Sequence, residues 1–153
     1  MVSVHFMTTR TEIGTPQSLY KMLDSEFHFS LDVCASHENA KCQRYFTKEQ
    51  DCLILKWSHE TCFMNPPYGR QIARFIKKAY TESLTDNTTV VCLLPSRTDT
   101  VWWHEYVMRA DEVRFIKGRL TFENEIDCAP FPSAIVVFRD HISDVKFSSM
   151  IRG

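Results

Sequence analysis

The sequence predicts an α/β fold with a mostly parallel sheet. Short apolar runs typical of buried strands alternate along the chain with amphipathic segments typical of helices. The last two apolar runs are joined by a loop without room for a crossover helix, so we expect them to form an antiparallel pair at an edge of the sheet. The 153 residues are expected to form a single domain over 1–153, with peripheral tails at 1–10 and 140–153.

The first part of the chain predicts a helix and a strand, followed by a less regular segment. An apolar stripe at i, i+3 and i+4 predicts a helix over 15–27, which Thr15 can cap. Alternating apolar residues that end in small ones predict a strand over 28–35. The pattern then favours at most a short helix over 38–44 and a short strand or loop over 51–55.

The second part of the chain predicts a regular alternation of elements. The predicted strands cover 61–67, 88–95, 112–118 and 133–138, and the predicted helices cover 70–83 and 99–110. Parallel strands end at one edge of their sheet, where ligands of open α/β folds bind. We therefore expect the ends of the strands near Ala35 and Asn65 to meet at a binding edge.

Composition and charge exclude few classes of function. The 44% hydrophobic and 24% charged residues are typical of a globular protein, and the formal net charge of -1 neither demands nor forbids a nucleic-acid partner. No apolar run approaches the length of a membrane span, and the first residues lack a signal-peptide pattern. We expect a cytoplasmic protein with no membrane partner.

The cysteines and histidines predict no metal site. The six cysteines fall at wide, irregular spacings without a C-x-x-C pair, and several lie in apolar runs. Structural zinc sites usually take paired ligands two to four residues apart, a spacing that this scatter does not offer. Buried free thiols in a reducing compartment are the favoured interpretation.

The stretch "CFMNPPYGR", residues 62–70, places an asparagine and two prolines at the end of a predicted strand. Consecutive prolines remove two backbone donors and fix the direction of the chain. Asn65, Pro66 and Tyr68 are therefore presented rigidly, with carbonyl groups free to accept hydrogen bonds. A partner that carries N–H groups suits this position.

Several segments, in order, resemble the phage-type, Dam-like family of DNA N6-adenine methyltransferases. They are "TPQSLYKMLDSEFHFSLDVCAS", "ENAKCQRYFT", "DCL", "NPPYGR", "LLPSRTDTVWWH", "FIKGRLTFE" and "APFPSAIVVF", over about Thr8 to Phe138. The resemblance implies a compact Rossmann-like fold of the kind found in methyltransferases that depend on S-adenosylmethionine. It also implies methyl transfer to N6 of a flipped adenine in double-stranded DNA, in the host bacterial cytoplasm if a phage encodes the chain.

The NPPY segment fits the chemistry that this resemblance implies. The lone pair of an adenine amine is delocalised into the ring, so acceptors aimed at its N–H bonds favour the more tetrahedral nitrogen of the transition state. The Asn65 side-chain oxygen and the Pro66 carbonyl would be those acceptors. Tyr68 would stack on the flipped base, and Pro67 would hold the turn rigid. The alternative is a segment that only ends a strand.

The resemblance also implies a cofactor site. Asp32 ends the first strand, small residues follow it, and the glycine-rich loop of many nucleotide-binding folds is absent. The alternative roles are solvent-facing turns and a helix cap. The residues implied in cofactor binding are Thr15 and Pro16 on the methionine moiety, Asp32, Cys34 and Ala35 at the strand end, Asn39 on the ribose side, Asp51 near the adenine amino group, and Asn65.

The segment "PSRTDTVWWH" and the later "KGRLTF" predict contacts to DNA. Arginine can bind phosphate or guanine, and tryptophan can stack on bases or fill the gap that a flipped base leaves. Adjacent tryptophans on a helix cannot both face DNA easily, so we expect at least one in the core. The predicted DNA-binding residues are Arg97, Asp99, Trp102, Trp103 and Arg119.

Several alternatives stay open at this point. The basic residues of the 70–83 helix, Arg70, Arg74, Lys77 and Lys78, lie opposite its apolar stripe, which favours a solvated face over a DNA contact. The same acceptor geometry suits N4-methylation of cytosine or methylation of RNA. A non-catalytic binding module with the same fold is the alternative of a different class, and the sequence determines neither the recognition site nor the oligomeric state.

Overall fold

A computed structural model describes residues 13–140 and 144–153 of the chain, and its described part forms one sheet with helices on both faces. The helices are α1 (Gln17–Phe27), α2 (Ile72–Ser83) and α3 (Val101–Glu105). The strands are β1 (Leu31–Ala35), β2 (Tyr45–Thr47), β3 (Thr61–Met64), β4 (Thr89–Pro95), β5 (Glu112–Ile116), β6 (Ser133–Phe138) and β7 (Lys146–Met150). Two short 3₁₀ helices cover Cys52–Ile54 and Val107–Arg109.

The seven strands of this sheet follow the order β2-β1-β3-β4-β6-β5-β7. Strand β6 is antiparallel to β4 and β5, and the other pairings are parallel. The predicted α/β fold, mostly parallel with an antiparallel pair, is therefore confirmed. The pair does not lie at the edge where it was expected, because β7 takes that place. The ends of β1 to β4 meet on one side of the sheet, which we call the carboxyl edge.

Aromatic contacts show that helices cover both faces of the sheet. Tyr20 of α1 packs edge-on against Phe63 of β3, with 5.2 Å between the ring centroids. Tyr80 of α2 packs against Phe138 of β6 at 6.0 Å. The pairings Cys62 with Val90 and Val90 with Phe138 put Phe138 on the face opposite Phe63. The two helices therefore form the outer layers of a three-layer structure.

Strands β4 and β6 form the centre of the core. Every residue of β6 is buried, as are the residues of β4 after Thr89. Continuous apolar runs such as "VVCLLP" and "SAIVVF" are required where both faces of a strand are covered. These runs are the reason that the two strands were readily predicted.

The segment after β1 differs from the prediction. Residues 38–44 form turns instead of a helix, and the unpredicted β2 follows them. The Asn39 Oδ1 atom accepts from the Ser36 N–H at 2.7 Å, and the Asn39 N–H donates to Ser36 Oγ at 3.2 Å. The Lys41 N–H donates to Asp32 Oδ2. These side chains take the groups that a helix would pair internally, so the turn competes with the helix.

Other helix boundaries also differ from the prediction. The α1 helix begins after Pro16, and Thr15 does not cap it, because its hydroxyl binds another residue. The predicted 99–110 helix ends at Glu105 and continues as a separate 3₁₀ turn. Within 51–55, where a short strand or loop was predicted, the chain forms a 3₁₀ helix that begins at Cys52.

The segment 140–153, which the sequence predicted to be a peripheral tail, contains a strand over residues 146–150. Strand β7 pairs in parallel with β5 and takes the place next to it in the sheet. Its residues are mostly exposed, and an exposed edge strand needs no apolar run, so hydropathy gives no signal for it. The predicted tail at 1–10 lies outside the described residues. Within the described part of the chain, the helices are too short or too polar to cross a membrane.

Leu93 at the centre of β4 provides a test of this core. Leu93 is fully buried, whereas Leu84 at the end of α2 is 52% exposed. We expect Leu93→Ala to lower the free energy of unfolding by about 3 kcal/mol, because the lost burial and the remaining cavity add. The matched Leu84→Ala change should cost less than about 1 kcal/mol. Urea unfolding of both variants measures this, and equal losses would contradict the described core.

Candidate active site

Asn65 follows the last residue of β3, at the carboxyl edge. Its Nδ2 donates to the Ile13 carbonyl at 2.7 Å and to Thr15 Oγ1 at 3.0 Å. Since a backbone carbonyl can only accept, this contact fixes which end of the amide carries the oxygen. The Oδ1 atom is buried and has no hydrogen-bond partner among the described residues. The site thus presents an oriented acceptor whose bonding capacity is unused.

The two prolines after Asn65 fix the path of the chain away from β3. Pro66 is buried and Pro67 is half-buried. Neither has an N–H group, so the backbone here can accept hydrogen bonds but cannot donate them. The backbone at Pro66 and Pro67 therefore offers carbonyl acceptors without N–H donors.

Tyr68 is more deeply buried than its predicted role, stacking on a flipped base, requires. Its hydroxyl donates to the Leu93 carbonyl at 3.1 Å, and its ring packs edge-on against Phe122 at 6.2 Å and Phe131 at 5.6 Å. Burial raises the pKa of Tyr68 well above its ordinary value, so the phenol stays neutral and cannot act as a base. With 7% of its surface exposed, Tyr68 buttresses the NPPY turn.

Asp32 fixes the loop that follows β1. Its Oδ1 accepts from the Cys34 N–H at 3.3 Å and its Oδ2 from the Lys41 N–H at 3.0 Å. Burial raises the pKa of Asp32, although the hydrogen bonds from the Lys41 and Cys34 N–H groups act in the opposite direction. The carboxylate therefore shapes the predicted cofactor loop, and its oxygens face the protein backbone.

A pair of thiols in contact joins the end of β1 to the 3₁₀ helix that follows β2. Cys34 Sγ lies 3.9 Å from Cys52 Sγ, at the start of the 3₁₀ helix that follows β2. Asp51 caps that helix, with Oδ1 accepting from the Leu53 N–H at 3.1 Å and a φ of 59°. Cys34, Ala35 and Asp51 are half-buried. The structure thus brings together three of the predicted cofactor residues.

The other predicted cofactor residues have different surroundings. The side chain of Asn39 closes the turn with Ser36, and Pro16 is half-buried before α1. Thr15 is buried at 3% exposure and contacts Asn65. The predictions that Asn39, Pro16 and Thr15 bind the cofactor are not tested by these contacts.

Sequence reasoning missed Lys41, which connects three segments near the site. Its Nζ donates to Glu123 Oε1 at 2.7 Å and to Gln17 Oε1 at 2.9 Å, and its N–H binds Asp32. Only 8% of its side chain is exposed. A single lysine in an irregular segment gives no sequence signal for such a role, because Gln17 and Glu123 lie far away along the chain.

The predicted DNA-binding residues divide into surface and core positions. The Arg97 guanidinium lies over the Phe131 ring, 5.6 Å from its centroid, and Arg119 and Asp99 are exposed. By contrast, Trp102 and Trp103 are 7% and 3% exposed. Both tryptophans therefore pack into the core in this structure, where at least one was expected, and stacking on a base would require them to move.

The basic residues of α2 mostly face outward, as expected. Arg74 and Lys77 are exposed, as is Arg70, which lies in the turn before α2. Lys78 is more covered: its Nζ pairs with Glu82 Oε1 at 2.8 Å and lies 5.7 Å from the Trp57 ring centroid. No group of three or more His, Cys, Asp or Glu residues in the described ranges could hold a metal ion.

Comparisons with known proteins place these features in a family context. A protein-family model described as DNA N-6-adenine-methyltransferase (Dam) matches residues 6–151. The DNA N-6-adenine-methyltransferase of Haemophilus phage HP1 (strain HP1c1) is 33% identical over 133 residues, which cover 82% of this chain and 76% of that protein. The protein of the same name from Escherichia phage T1 is 33% identical over 110 residues. That alignment covers 71% of this chain and 45% of the T1 protein.

The raised pKa of Asp32 predicts how stability depends on pH. The folded state holds the Asp32 proton more tightly than the unfolded state does. The protonated side chain therefore contributes to the free energy of unfolding, and this contribution is fully present below the unfolded pKa of about 4. It is lost as the pH rises through the folded pKa. The stability of the wild type minus that of Asp32→Asn should therefore fall as the pH rises from about 4 to 7. Urea unfolding at both pH values measures this, and a rising difference would contradict the assignment.

Proposed function

Because the chain belongs to the DNA N-6-adenine-methyltransferase (Dam) family, we propose that it transfers a methyl group from S-adenosylmethionine to N6 of adenine in DNA. A phage or prophage would encode such an enzyme, as with the two bacteriophage relatives. The single observation that carries the proposal is the oriented, unused acceptor on Asn65 at the carboxyl edge.

The Asn65 acceptor suits an exocyclic amine. Such a nitrogen becomes nucleophilic as its lone pair leaves the ring, and an acceptor on its N–H bonds stabilises the positive charge that develops. Asn65 Oδ1 is buried, so this hydrogen bond would form in a site with little water and would be stronger there. The Pro66 carbonyl would accept from the second N–H.

The target adenine would have to leave the DNA stack to reach this buried acceptor. Pro67 would border the base on the side of the NPPY turn, and Tyr68, with 7% of its surface exposed, would support that turn. Phe122 and Phe131 pack on the Tyr68 ring and would keep that border fixed. An aromatic wall that is already packed costs little entropy when the base enters.

S-adenosylmethionine would bind at the ends of β1 and β2. The cofactor supplies a methyl group already activated by its sulfonium, so the protein has mainly to position the reacting groups. The half-buried Cys34, Ala35 and Asp51 fit this role, because a carboxylate can accept from ribose or adenine donors and small side chains let the backbone approach. Asp32 would hold their loop in place through its two backbone hydrogen bonds.

Double-stranded DNA would bind across the carboxyl edge. Arg97, after β4, and the exposed Arg119 would contact the phosphate backbone. Phosphate contacts carry no sequence information directly, so we propose short or relaxed sequence specificity. Methylation mapping that revealed a long, strict recognition site would contradict this part of the proposal.

Methyl transfer from labelled cofactor tests the proposed reaction. Protein is incubated with tritiated S-adenosylmethionine and unmethylated DNA, and the product is digested to nucleosides. We expect label in N6-methyladenine and a loss of at least about 100-fold in Asn65→Ala, the size expected when an electrostatic contact to the transition state is removed. Asn87→Gly is the control, because Asn87 is exposed, lies before β4 at the opposite edge, and has a φ of 54° that glycine accepts.

The other outcomes of this experiment contradict the proposal in different ways. Label in N4-methylcytosine, or transfer to RNA alone, would assign another substrate. Binding of cofactor and DNA without any transfer would favour a non-catalytic module. An Asn65→Ala variant as active as Asn87→Gly would leave the reaction in place but remove Asn65 from it.

The salt dependence of DNA binding tests the proposed surface. Arg97→Ala and Arg119→Ala should each weaken binding and lower the slope of log K against log salt by about 1, because each removes about one phosphate contact. Arg74→Ala, on the exposed face of α2, is the matched control and should change neither. Fluorescence anisotropy with a labelled duplex at several salt concentrations measures both, and equal effects of all three changes would contradict the surface.

A further inference from the structure

We propose that Thr15 is a positioning residue for the reaction, acting through Asn65 and not through the cofactor. Its hydroxyl and the Ile13 carbonyl would hold the Asn65 amide so that Oδ1 faces the incoming amine. This inference rests on the proposed function, because it concerns the same reaction. It differs from the role on the cofactor's methionine moiety that the family resemblance implied for Thr15.

The geometry of the amide carries the proposal. Nδ2 lies 2.7 Å from the Ile13 carbonyl oxygen and 3.0 Å from Thr15 Oγ1. A flip of the amide by 180° would put Oδ1 against the Ile13 carbonyl and turn the donor towards the substrate amine. At the Ile13 carbonyl two acceptors would face each other, and at the substrate amine two donors would do the same, so both of these contacts are unfavourable. The Thr15 hydroxyl can bond to either end of the amide, so it limits the rotation of the amide while the Ile13 carbonyl selects its orientation. The amide therefore has one productive orientation.

The two acceptors belong to a short segment, Ile13–Thr15, which we call the strap. Gly14 forms an isolated β-bridge with Glu123, whose N–H donates to the Gly14 carbonyl at 2.9 Å. Glu123 is in turn held by Lys41 at 2.7 Å. A Cβ on Gly14 would lie 2.8 Å from Glu123 atoms, so the strap and the loop around Glu123 are in close contact. The Ile13 carbonyl and the Thr15 hydroxyl are therefore held in place by the bridge to Glu123, which does not belong to the Asn65 turn.

The burial of Thr15 supports a role through Asn65. Thr15 is 3% exposed, and among the described residues its hydroxyl accepts from the Asn65 amide. A buried threonine whose oxygen accepts from a catalytic amide limits the rotation of that amide. A residue that contacts the methionine moiety of a cofactor would affect cofactor binding instead. The two roles therefore predict different kinetic constants.

Steady-state kinetics on the full chain separate these roles. Thr15→Val keeps the shape of the side chain but removes the acceptor, and Thr15→Ser keeps the hydroxyl. We expect Thr15→Val to lower kcat by about 10- to 100-fold, the range for a misplaced catalytic group, with the KM for S-adenosylmethionine within about twofold. Thr15→Ser should recover most of kcat, and the Tm of both variants should stay near that of the wild type.

A double-mutant cycle tests whether Thr15 acts through Asn65. If it does, Thr15→Val should cause no further loss of single-turnover rate in the Asn65→Ala background, because the group that it positions is gone. Losses that multiply would overturn the proposal. If Thr15→Val does not fold, Thr15→Ala replaces it, because it removes the hydroxyl without placing a methyl group against the amide.

The remaining outcomes are also decisive. A raised KM and Kd for S-adenosylmethionine with kcat unchanged in Thr15→Val would assign Thr15 to the cofactor and overturn the proposal. Equal losses of kcat in Thr15→Val and Thr15→Ser would also overturn it. The wild-type reaction reports separately on the proposed function: if the wild type makes no N6-methyladenine, that function fails, whereas a failure confined to the variant ratios concerns Thr15 alone.

Discussion

Parallel pairing of β1, β3 and β4 is the constraint on which the rest of the structure depends. The register Leu31 with Cys62 and Cys62 with Val90 aligns these strands so that they end at one edge. Residues distant in sequence, such as Asp32 and Asn65, are thereby brought to the same side of the sheet. The residues that come directly after each strand therefore determine the chemistry of the carboxyl edge.

Polar groups in and around the core are satisfied by partners from other segments. Asp32 accepts from the backbone N–H of Cys34, within β1, and from that of Lys41 in the loop after β1. Glu82 of α2 accepts from the Trp57 N–H at 3.1 Å and pairs with Lys78 at 2.8 Å. The bonds to Lys41 and Trp57 tie irregular segments to β1 and α2. A buried polar group left without a partner would cost free energy at either position. Among the described residues, Asn65 Oδ1 departs from this rule, as do the hydroxyls of Ser96 and Ser133, and Asn65 Oδ1 lies where the proposed chemistry needs an acceptor.

The sequence predicted the elements that packing makes obvious. Strands β4 and β6 are continuous apolar runs because both of their faces are covered, and α2 carries a clear apolar stripe. Strand β7 could not be found this way, because it contributes mainly backbone hydrogen bonds and its side chains are exposed. The turn at Ser36–Asn39 was missed for a related reason: side chains satisfy its backbone, and helix periodicity does not report that competition.

By itself, the sequence determined the alternating α/β pattern and the acceptor-rich NPPY turn at the end of a strand. These features depend on local properties, namely side-chain hydrophobicity and the missing N–H groups of proline. Only the tertiary structure decided that Thr15 and the Ile13 carbonyl orient Asn65, and that Trp102 and Trp103 both lie in the core. Those contacts join residues that are far apart in the chain or depend on how α3 ends, so their physical cause is packing, which no local pattern records.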